Sequence, residues 1–364
     1  MATVTSLDLP NEVAETRATS PQRRIEWMDT ARGIAIILVV YGHVLVGLHD
    51  GGFFSTANPW WLSYYTIYTF HMPFFFFLAG LNVRRSIAKG RKAFLWGKVW
   101  TIAYPYFLWS AIQGWVQLEA THLAPSSVNH AAFPLSMKGF FLHPGSQFWF
   151  LYALFICHAV AFLAGRSKWI LVLAGICSII LLRFSLGDSI SHALLFYGLG
   201  IMLGSYVERW SPSLRTSLLA GFTGVLVFAV AVHLGRAASH GNAASLFSLP
   251  AALSGIGLLC LLGQVIARTS DRLTQILKTI GVMSMTIYIL HIMADSVARL
   301  VLKRLGIEST MDQLLFGVIA GVALPMLAHV TLDKLHLLTA LGLASWKRPT
   351  ATHIEYRLKA TAGA

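Results

Sequence analysis

Apolar segments of about 20 residues, separated by short basic stretches, recur along most of this 364-residue chain. A helix of that length crosses the roughly 30 Å apolar core of a lipid bilayer. Only 12% of the residues are charged, whereas soluble domains average about 25%, and the mean hydropathy is +0.64. We therefore expect an all-α polytopic membrane protein.

The apolar segments predict about ten transmembrane helices. They run roughly over 31–49, 61–83, 97–118, 147–165, 168–184, 189–207, 214–235, 246–267, 280–302 and 313–336. The expected organisation is a cytoplasmic N-terminal tail over 1–28, a transmembrane domain over 29–340 and a cytoplasmic C-terminal tail over 341–364. The first 28 residues lack the short apolar core of a signal peptide.

Lysine and arginine are unevenly divided between the two sets of connecting loops, and cytoplasmic loops are the ones enriched in them. The richer set contains Arg17, Arg23, Arg24, Arg84, Arg85, Lys89, Arg91, Lys92, Arg166, Lys168, Arg209, Arg215, Arg268, Arg272, Lys278, Lys347, Arg348, Arg357 and Lys359. We therefore expect both termini on the cytoplasmic side of a bacterial inner membrane. The formal net charge of +13 lies in short clusters between apolar segments, which indicates a bilayer rather than nucleic acid as partner.

The first segment contains an arginine and a histidine eleven residues apart, Arg32 and His43. On a helix the two side chains lie within about 20° of each other and roughly 16 Å apart along the axis. His43 would then lie near the bilayer centre, where ionisable side chains are costly and usually functional. An imidazole there can act as a general base, and an arginine at the interface can bind phosphate. The alternative for His43 is a structural core histidine whose hydrogen bonds are made inside the protein. Asp29 could pair with Arg32 or serve at the helix start; both roles are structural.

The second segment contains His71, then Pro73, and ends in Arg84 and Arg85. Proline interrupts backbone hydrogen bonding, so it can expose carbonyls here or reorient His71. The alternative is a kinked, lipid-facing aromatic helix whose terminal arginines reach the interface.

Later segments add an aromatic residue at an interface and two histidine–carboxylate pairs. The aromatic belt of a membrane protein is by itself an adequate explanation of Trp149. His291 and Asp295 share a helix face at i,i+4, so the carboxylate can fix the tautomer of the imidazole. His329 and Asp333 repeat this spacing, and either pair is also compatible with a structural role.

Other chemistries find no support in the sequence. The three cysteines lie inside apolar segments, and the histidines of the loop over 119–146 fit no standard metal spacing. There is no Gly-x-Ser-x-Gly elbow, phosphate loop, dinucleotide fingerprint or His-Glu-x-x-His motif. We expect no metal and no permanently bound cofactor.

Taken together, four sequence blocks resemble the membrane acyltransferase-3 family, including its branch related to fucose O-acetylases. In chain order they are Met-Asp-Thr-Ala-Arg-Gly-Ile-Ala at 28–35 with His43, Phe-His-Met-Pro-Phe-Phe-Phe-Phe-Leu-Ala-Gly at 70–80, Trp-Phe-Leu at 149–151 and Tyr-Ile-Leu-His at 288–291. The resemblance covers about residues 25–340. Ala79-Gly80 departs from the Ser-Gly of many members, so no serine role is transferred to that position.

The resemblance implies ten membrane helices and acyl transfer from acyl-CoA to a sugar hydroxyl. It makes His43 the leading catalytic candidate and gives Arg32 a part in catalysis and acyl-CoA handling. Arg84 and Arg85 become candidates for binding the phosphates of the donor, although their spacing departs from the family's arginine pair. The remaining candidates for substrate contact or support are Asp29, His71, Trp149, His291 and Asp295.

The leading hypothesis is a membrane O-acetyltransferase that uses acetyl-CoA as donor substrate. The acceptor would be a sugar hydroxyl of an exopolysaccharide or its lipid-linked repeat unit, for example mannose of a xanthan-type polymer, as in the stand-alone acetyltransferases of such pathways. Alternatives are transfer of another acyl group such as succinyl, or a glycolipid transporter or flippase. Direct transfer and a histidine-bound acyl intermediate both stay open.

Overall fold

The computed structural model describes residues 21–88, 90–123, 144–164, 187–210 and 212–344, and the regular elements in these ranges are helices. The α-helices are α1 Pro21–Asp50, α2 Pro59–Tyr68, α3 His71–Ile87, α4 Arg91–Lys98, α5 Tyr104–Leu123, α6 Trp149–Ala164, α7 Gly187–Arg209, α8 Leu214–Ala238, α9 Leu249–Thr269, α10 Asp271–Val282, α11 Ser284–Arg304 and α12 Thr310–Lys334. A π-helical segment over Val99–Ala103 joins α4 to α5, and short 3-10 turns precede α6 and α9.

Eight helical segments within the described ranges are long and apolar enough to cross a membrane. They are Glu26–Asp50, Pro59–Ile87, Ser146–Leu163, Ser189–Val207, Leu214–Ala238, Leu246–Thr269, Ser284–Arg304 and Thr310–Lys334. The expectation of an all-α polytopic membrane protein is confirmed, and these eight correspond to eight of the predicted segments. The total of ten helices and the cytoplasmic position of both termini stay predictions.

Three of the predicted segments need comment. The third, over 97–118, lies in the helical stretch that contains the π segment and is not among the eight. The fifth, over 168–184, lies outside the described residues. The ninth was predicted to begin at 280, but α11 begins at Ser284. The apolar residues before it end α10, where Leu277 and Ile280 are buried inside the protein rather than beginning a span.

Helix α1 is the central helix of the described bundle. It packs against α2, α3 and each of α9 to α12, and none of its residues from Glu26 to His49 is exposed. By contrast, α8 presents large exposed apolar side chains along its length, including Phe222, Val230 and Leu234. Such a face is expected to contact lipid, whereas α1 is enclosed by protein.

Glycines allow the closest helix crossings. Gly33 of α1 meets the backbone of Leu277 in α10, and Gly281 of α10 meets the carbonyl of Asp29, leaving no room for a Cβ at either glycine. Gly200 of α7 packs in the same way against the backbone of α3, which also leaves no room for a Cβ. The first of these crossings fixes the part of α1 that contains Asp29 and Arg32.

Candidate active site

His43 lies on α1, half-buried, in the interior of the bundle. Because the residues of α1 around it are enclosed by other helices, its exposed part faces a space between helices rather than lipid. No hydrogen-bond partner of its imidazole lies within the described ranges. Its ring neighbours are His291 of α11 and Tyr68 of α2, with centroid distances of 5.0 Å and 6.3 Å. The interpretation of His43 as a satisfied core histidine is therefore not supported.

His291 is fully buried. Its Nδ1 lies 2.7 Å from the carbonyl oxygen of Tyr288 and 3.0 Å from that of Ile287. Since a carbonyl oxygen only accepts, Nδ1 donates, and in the neutral ring Nε2 is left as an acceptor. That Nε2 is buried and has no hydrogen-bond partner among the described residues. An unpaired acceptor thus lies beside the His43 ring.

Asp295 lies one turn further along α11 than His291 and is almost fully buried. In the part of the chain that the structure describes, its Oδ1 also lacks a hydrogen-bond partner. Gly321 of α12 packs against this turn: a Cβ at that position would lie 3.9 Å from the Cβ atoms of both His291 and Asp295. Asp333, by contrast, lies twelve residues from Gly321, about 18 Å along α12. Asp295 is thus nearer to His291 than Asp333 is, but the carbonyls of Ile287 and Tyr288 fix the His291 tautomer, so the expectation that the Asp295 carboxylate fixes it is wrong.

His71 is brought to the same region by a break between α2 and α3. The helix breaks at Thr69-Phe70, before Pro73, and Pro73 occupies the first turn of α3, where a missing N–H is tolerated. The interruption predicted at Pro73 is therefore displaced to residues preceding His71. The His71 Nδ1 donates to the carbonyl of Ile67, 2.6 Å away, which ties the two helices together.

Tyr68 was not recognised in the sequence as a candidate. Its ring lies 4.7 Å from that of His71 and 6.3 Å from that of His43, between centroids. Gly42 makes this approach possible, because a Cβ there would lie 2.8 Å from a Tyr68 ring carbon. The available signal was the spacing of three residues between Tyr68 and His71, but only the helix packing reveals its contact with α1.

Arg32 and Asp29 form an ion pair of 2.6 Å, with 28% and 15% of their side chains exposed. The expected pairing of Asp29 with Arg32 is thus present, whereas its alternative role at the helix start is wrong, because α1 begins at Pro21. Ile36 and Val39, which occupy the same face of α1 between Arg32 and His43, are almost completely buried. The guanidinium therefore lies at one end of an apolar strip of α1 and the imidazole at the other.

Arg84 and Arg85 are exposed near the C-terminal end of α3. His71 begins the same helix, so Arg84 lies about 20 Å along the axis from it. The segments that contain α1 and α3 are consecutive spans and cross in opposite directions. Since Tyr68 contacts the rings of both His43 and His71, Arg84 and Arg32 lie towards the same end of the bundle.

Trp149 begins α6 and lies against Phe76 of α3, with 6.1 Å between ring centroids. The ring contacts of His43 within the described ranges are with Tyr68 and His291 and do not include Trp149. The residue two places earlier, Gln147, has a more central role that the sequence did not reveal. Its side-chain amide exchanges hydrogen bonds of 2.7 and 3.3 Å with that of Gln113, and its carbonyl accepts from the hydroxyl of Tyr288. This buried network holds the start of α6 against the helix that contains His291.

His43 and His291 can support proton transfer, because the His43 imidazole has no hydrogen-bond partner within the described ranges and the His291 Nε2 acceptor lies beside it. Within the described ranges, no group of three His, Cys, Asp or Glu side chains could hold a metal ion. An anion would bind best at the other end of the bundle, towards which Arg32, Arg84 and Arg85 lie.

A family model described as an acyltransferase domain (Acyl_transf_3) matches residues 25–330. Nodulation protein NolL of Mesorhizobium japonicum is 30% identical over 133 residues, 35% of this chain and 32% of that protein. Nodulation protein NolL of Sinorhizobium fredii is 26% identical over 190 residues, 50% of this chain and 49% of that protein. The matches therefore span less than half the length of these curated relatives. No solved structure matches the chain.

Proposed function

This chain belongs to the membrane acyltransferase-3 family, and on that premise we propose that it transfers an acetyl group from acetyl-CoA to a sugar hydroxyl. Membership confirms the resemblance drawn from the four sequence blocks and makes the protein a membrane acyltransferase. The proposed acceptor is an exopolysaccharide or its lipid-linked repeat unit, modified at a bacterial inner membrane.

The observation on which this proposal depends is the environment of His43. Its imidazole is half-buried between helices and lacks a hydrogen-bond partner within the described ranges, and it shares a helix face with Arg32. The separation of about 16 Å suits the extended pantetheine arm that joins the phosphates of CoA to its thioester. A donor whose phosphates contact Arg32, with Arg84 and Arg85 at the same end, can therefore present its thioester near His43.

In the proposed reaction, a ring nitrogen of His43 takes the proton of the sugar hydroxyl as its oxygen attacks the thioester carbonyl. The tetrahedral intermediate collapses as the carbon–sulfur bond breaks, and the protonated His43 returns the proton to the departing thiolate. The products are the sugar ester and free CoA, so no proton is gained or lost.

His291 is proposed as the positioning residue for His43. A centroid distance of 5.0 Å allows nitrogens of the two rings to come within hydrogen-bonding reach when they point at each other. The unpaired Nε2 of His291 would accept the N–H of His43 and leave the other nitrogen of His43 free as the base. The same bond would become stronger when His43 is protonated.

Reconstitution tests the proposal directly. The purified full chain in lipid nanodiscs is mixed with acetyl-CoA and the polysaccharide from a strain of the host that lacks the protein. We expect release of free CoA that requires both substrates, together with a polymer mass increase of one acetyl group per site. Succinyl-CoA in place of acetyl-CoA tests the alternative donor. Absence of CoA release with either donor would contradict the proposal.

A further inference from the structure

The reaction proposed for His43 also requires a hydrogen-bond donor for the thioester carbonyl. As the acceptor oxygen attacks, the carbonyl oxygen becomes negatively charged, and enzymes stabilise that charge with a fixed N–H or O–H group. The His43 imidazole is occupied as the base. We therefore looked for a donor among the side chains around the His43 ring.

The rings around His43 differ in whether they have a proton left to donate. His291 and His71 each give the Nδ1 hydrogen to a backbone carbonyl, at 2.7 and 2.6 Å, so in the neutral rings the Nε2 atoms are acceptors. The hydroxyl of Tyr288 donates to a backbone carbonyl just before α6. Among the described residues, no backbone carbonyl accepts from the Tyr68 hydroxyl, which leaves Tyr68 as the donor of this group of rings.

Tyr68 presents the outer part of its ring to α1. A Cβ at Gly42 would lie 2.8 Å from one ring carbon of Tyr68 and 3.7 Å from the carbon that carries the hydroxyl. The ring centroid lies 6.3 Å from that of His43, whose imidazole has no hydrogen-bond partner within the described ranges. The Tyr68 hydroxyl therefore lies close to His43 without occupying a nitrogen of the base.

Two neighbouring rings hold Tyr68 in place. His71 contacts it edge-on with 4.7 Å between centroids, and Tyr64 lies against it at 4.1 Å. The side chains of Tyr64 and Tyr68 also hydrogen-bond to each other. When Tyr64 donates in this bond, the Tyr68 proton is free for a substrate, and Tyr68 becomes a stronger donor because linked hydrogen bonds polarise one another.

We propose that Tyr68 is a second catalytic residue, whose hydroxyl donates a hydrogen bond to the carbonyl oxygen of the acyl donor. The inference rests on the proposed function and deepens it. As the acceptor oxygen bonds to the carbonyl carbon, an electron pair of the double bond moves to the carbonyl oxygen, and Tyr68 stabilises this oxyanion while it keeps its own proton. The double bond forms again when the carbon–sulfur bond breaks. His43 and Tyr68 thus act on two oxygens of one tetrahedral carbon, which suits neighbouring rings.

Tyr68→Phe tests the role, because it keeps the ring and removes only the hydroxyl. The assay is CoA release by the nanodisc protein with acetyl-CoA and the polysaccharide from the strain that lacks the protein (the deletion strain). We expect kcat to fall about 10²- to 10³-fold, as for loss of one oxyanion donor. Both KM values and the melting temperature should change little, because the contact forms in the transition state.

Tyr65→Phe is the matched control on the same helix. The Tyr65 hydroxyl lies 3.0 Å from that of Ser248 and joins α2 to the turn before α9. We expect this variant to have a lower melting temperature and a kcat within twofold of wild type. The same pattern in Tyr68→Phe would show that Tyr68 only packs, and would overturn its catalytic role.

Graded acidity at position 68 gives a readout that packing alone does not move. Tyrosines with one, two or three ring fluorines have more acidic phenols and are therefore stronger hydrogen-bond donors. At a pH where each phenol stays protonated, kcat should rise with phenol acidity at position 68 and should show no trend at position 65. A kcat at position 68 that is indifferent to phenol acidity would overturn the proposal.

Failure of this inference is distinguishable from failure of the proposed function. Absence of CoA release by the wild type would refute the proposed function itself. Wild-type turnover, with a kcat for Tyr68→Phe within tenfold of it, would instead overturn the role of Tyr68 alone.

Discussion

Replacement of His291 isolates the contribution of the His43–His291 contact. Among the described residues its Nδ1 bonds to carbonyls of its own helix, so the polar group that His291→Ala removes from beside His43 is the Nε2 acceptor. A neutral hydrogen bond contributes about 0.5–1.5 kcal/mol and one to a charged group about 1.5–3 kcal/mol. His43 is charged only after it has taken the proton, so the difference favours the transition state.

The two ranges differ by about 1–1.5 kcal/mol, and about 1.4 kcal/mol is a tenfold change in rate, so we expect kcat to fall roughly 5- to 12-fold, with little change in either KM. His291→Gln, whose side-chain oxygen can accept a hydrogen bond, should recover part of the loss. The assay is CoA release at varied acetyl-CoA and varied deletion-strain polysaccharide. A kcat within twofold of wild type in His291→Ala, or a rise in KM with unchanged kcat, would refute the positioning role.

Three further predictions follow from the arginine end of α1 and from the glycine contacts. Arg32→Ala should raise the KM for acetyl-CoA about tenfold or more without altering the acceptor KM, because a charged hydrogen bond to phosphate is lost. Steady-state kinetics measure both KM values, and an equal rise in the two would contradict phosphate binding by Arg32. Arg32→Lys should recover only part of this affinity, because an ammonium group cannot bind phosphate bidentately; full recovery would exclude bidentate binding. Gly200→Ala should destabilise the protein by about 1–3 kcal/mol through overpacking. Gly221→Ala, at a position where a Cβ meets no described atom within 4 Å, should be neutral or slightly stabilising. Thermal unfolding in detergent distinguishes the two variants, and equal melting temperatures would contradict the close contact at Gly200.

The membrane helices were predictable because hydropathy over about 20 residues is a local property of the sequence. Hydropathy placed the start of the ninth segment wrongly, because apolar residues there take part in helix packing. Ile280 is apolar and buried at the end of α10, and hydropathy alone does not distinguish that role from the start of a span.

The site was predictable only as far as single helices allow. The common face of Arg32 and His43, and that of His291 and Asp295, follow from helical geometry. Which helices lie side by side does not, so the contact between His43 and His291 required the fold. Tyr68 was missed for the same reason, since its approach to α1 depends on Gly42 and on a break placed before Pro73.

The central claim is that His43 is the base that removes the proton of the acceptor hydroxyl. CoA release by purified His43→Ala in nanodiscs, with acetyl-CoA and the deletion-strain polysaccharide, tests it most directly. His233→Ala, an exposed histidine of α8, is the matched control and should keep wild-type activity. General-base catalysis contributes about 10²- to 10⁴-fold, so we predict at least a 100-fold loss for His43→Ala with an unchanged melting temperature. Activity within tenfold of wild type in a folded His43→Ala protein would contradict the account.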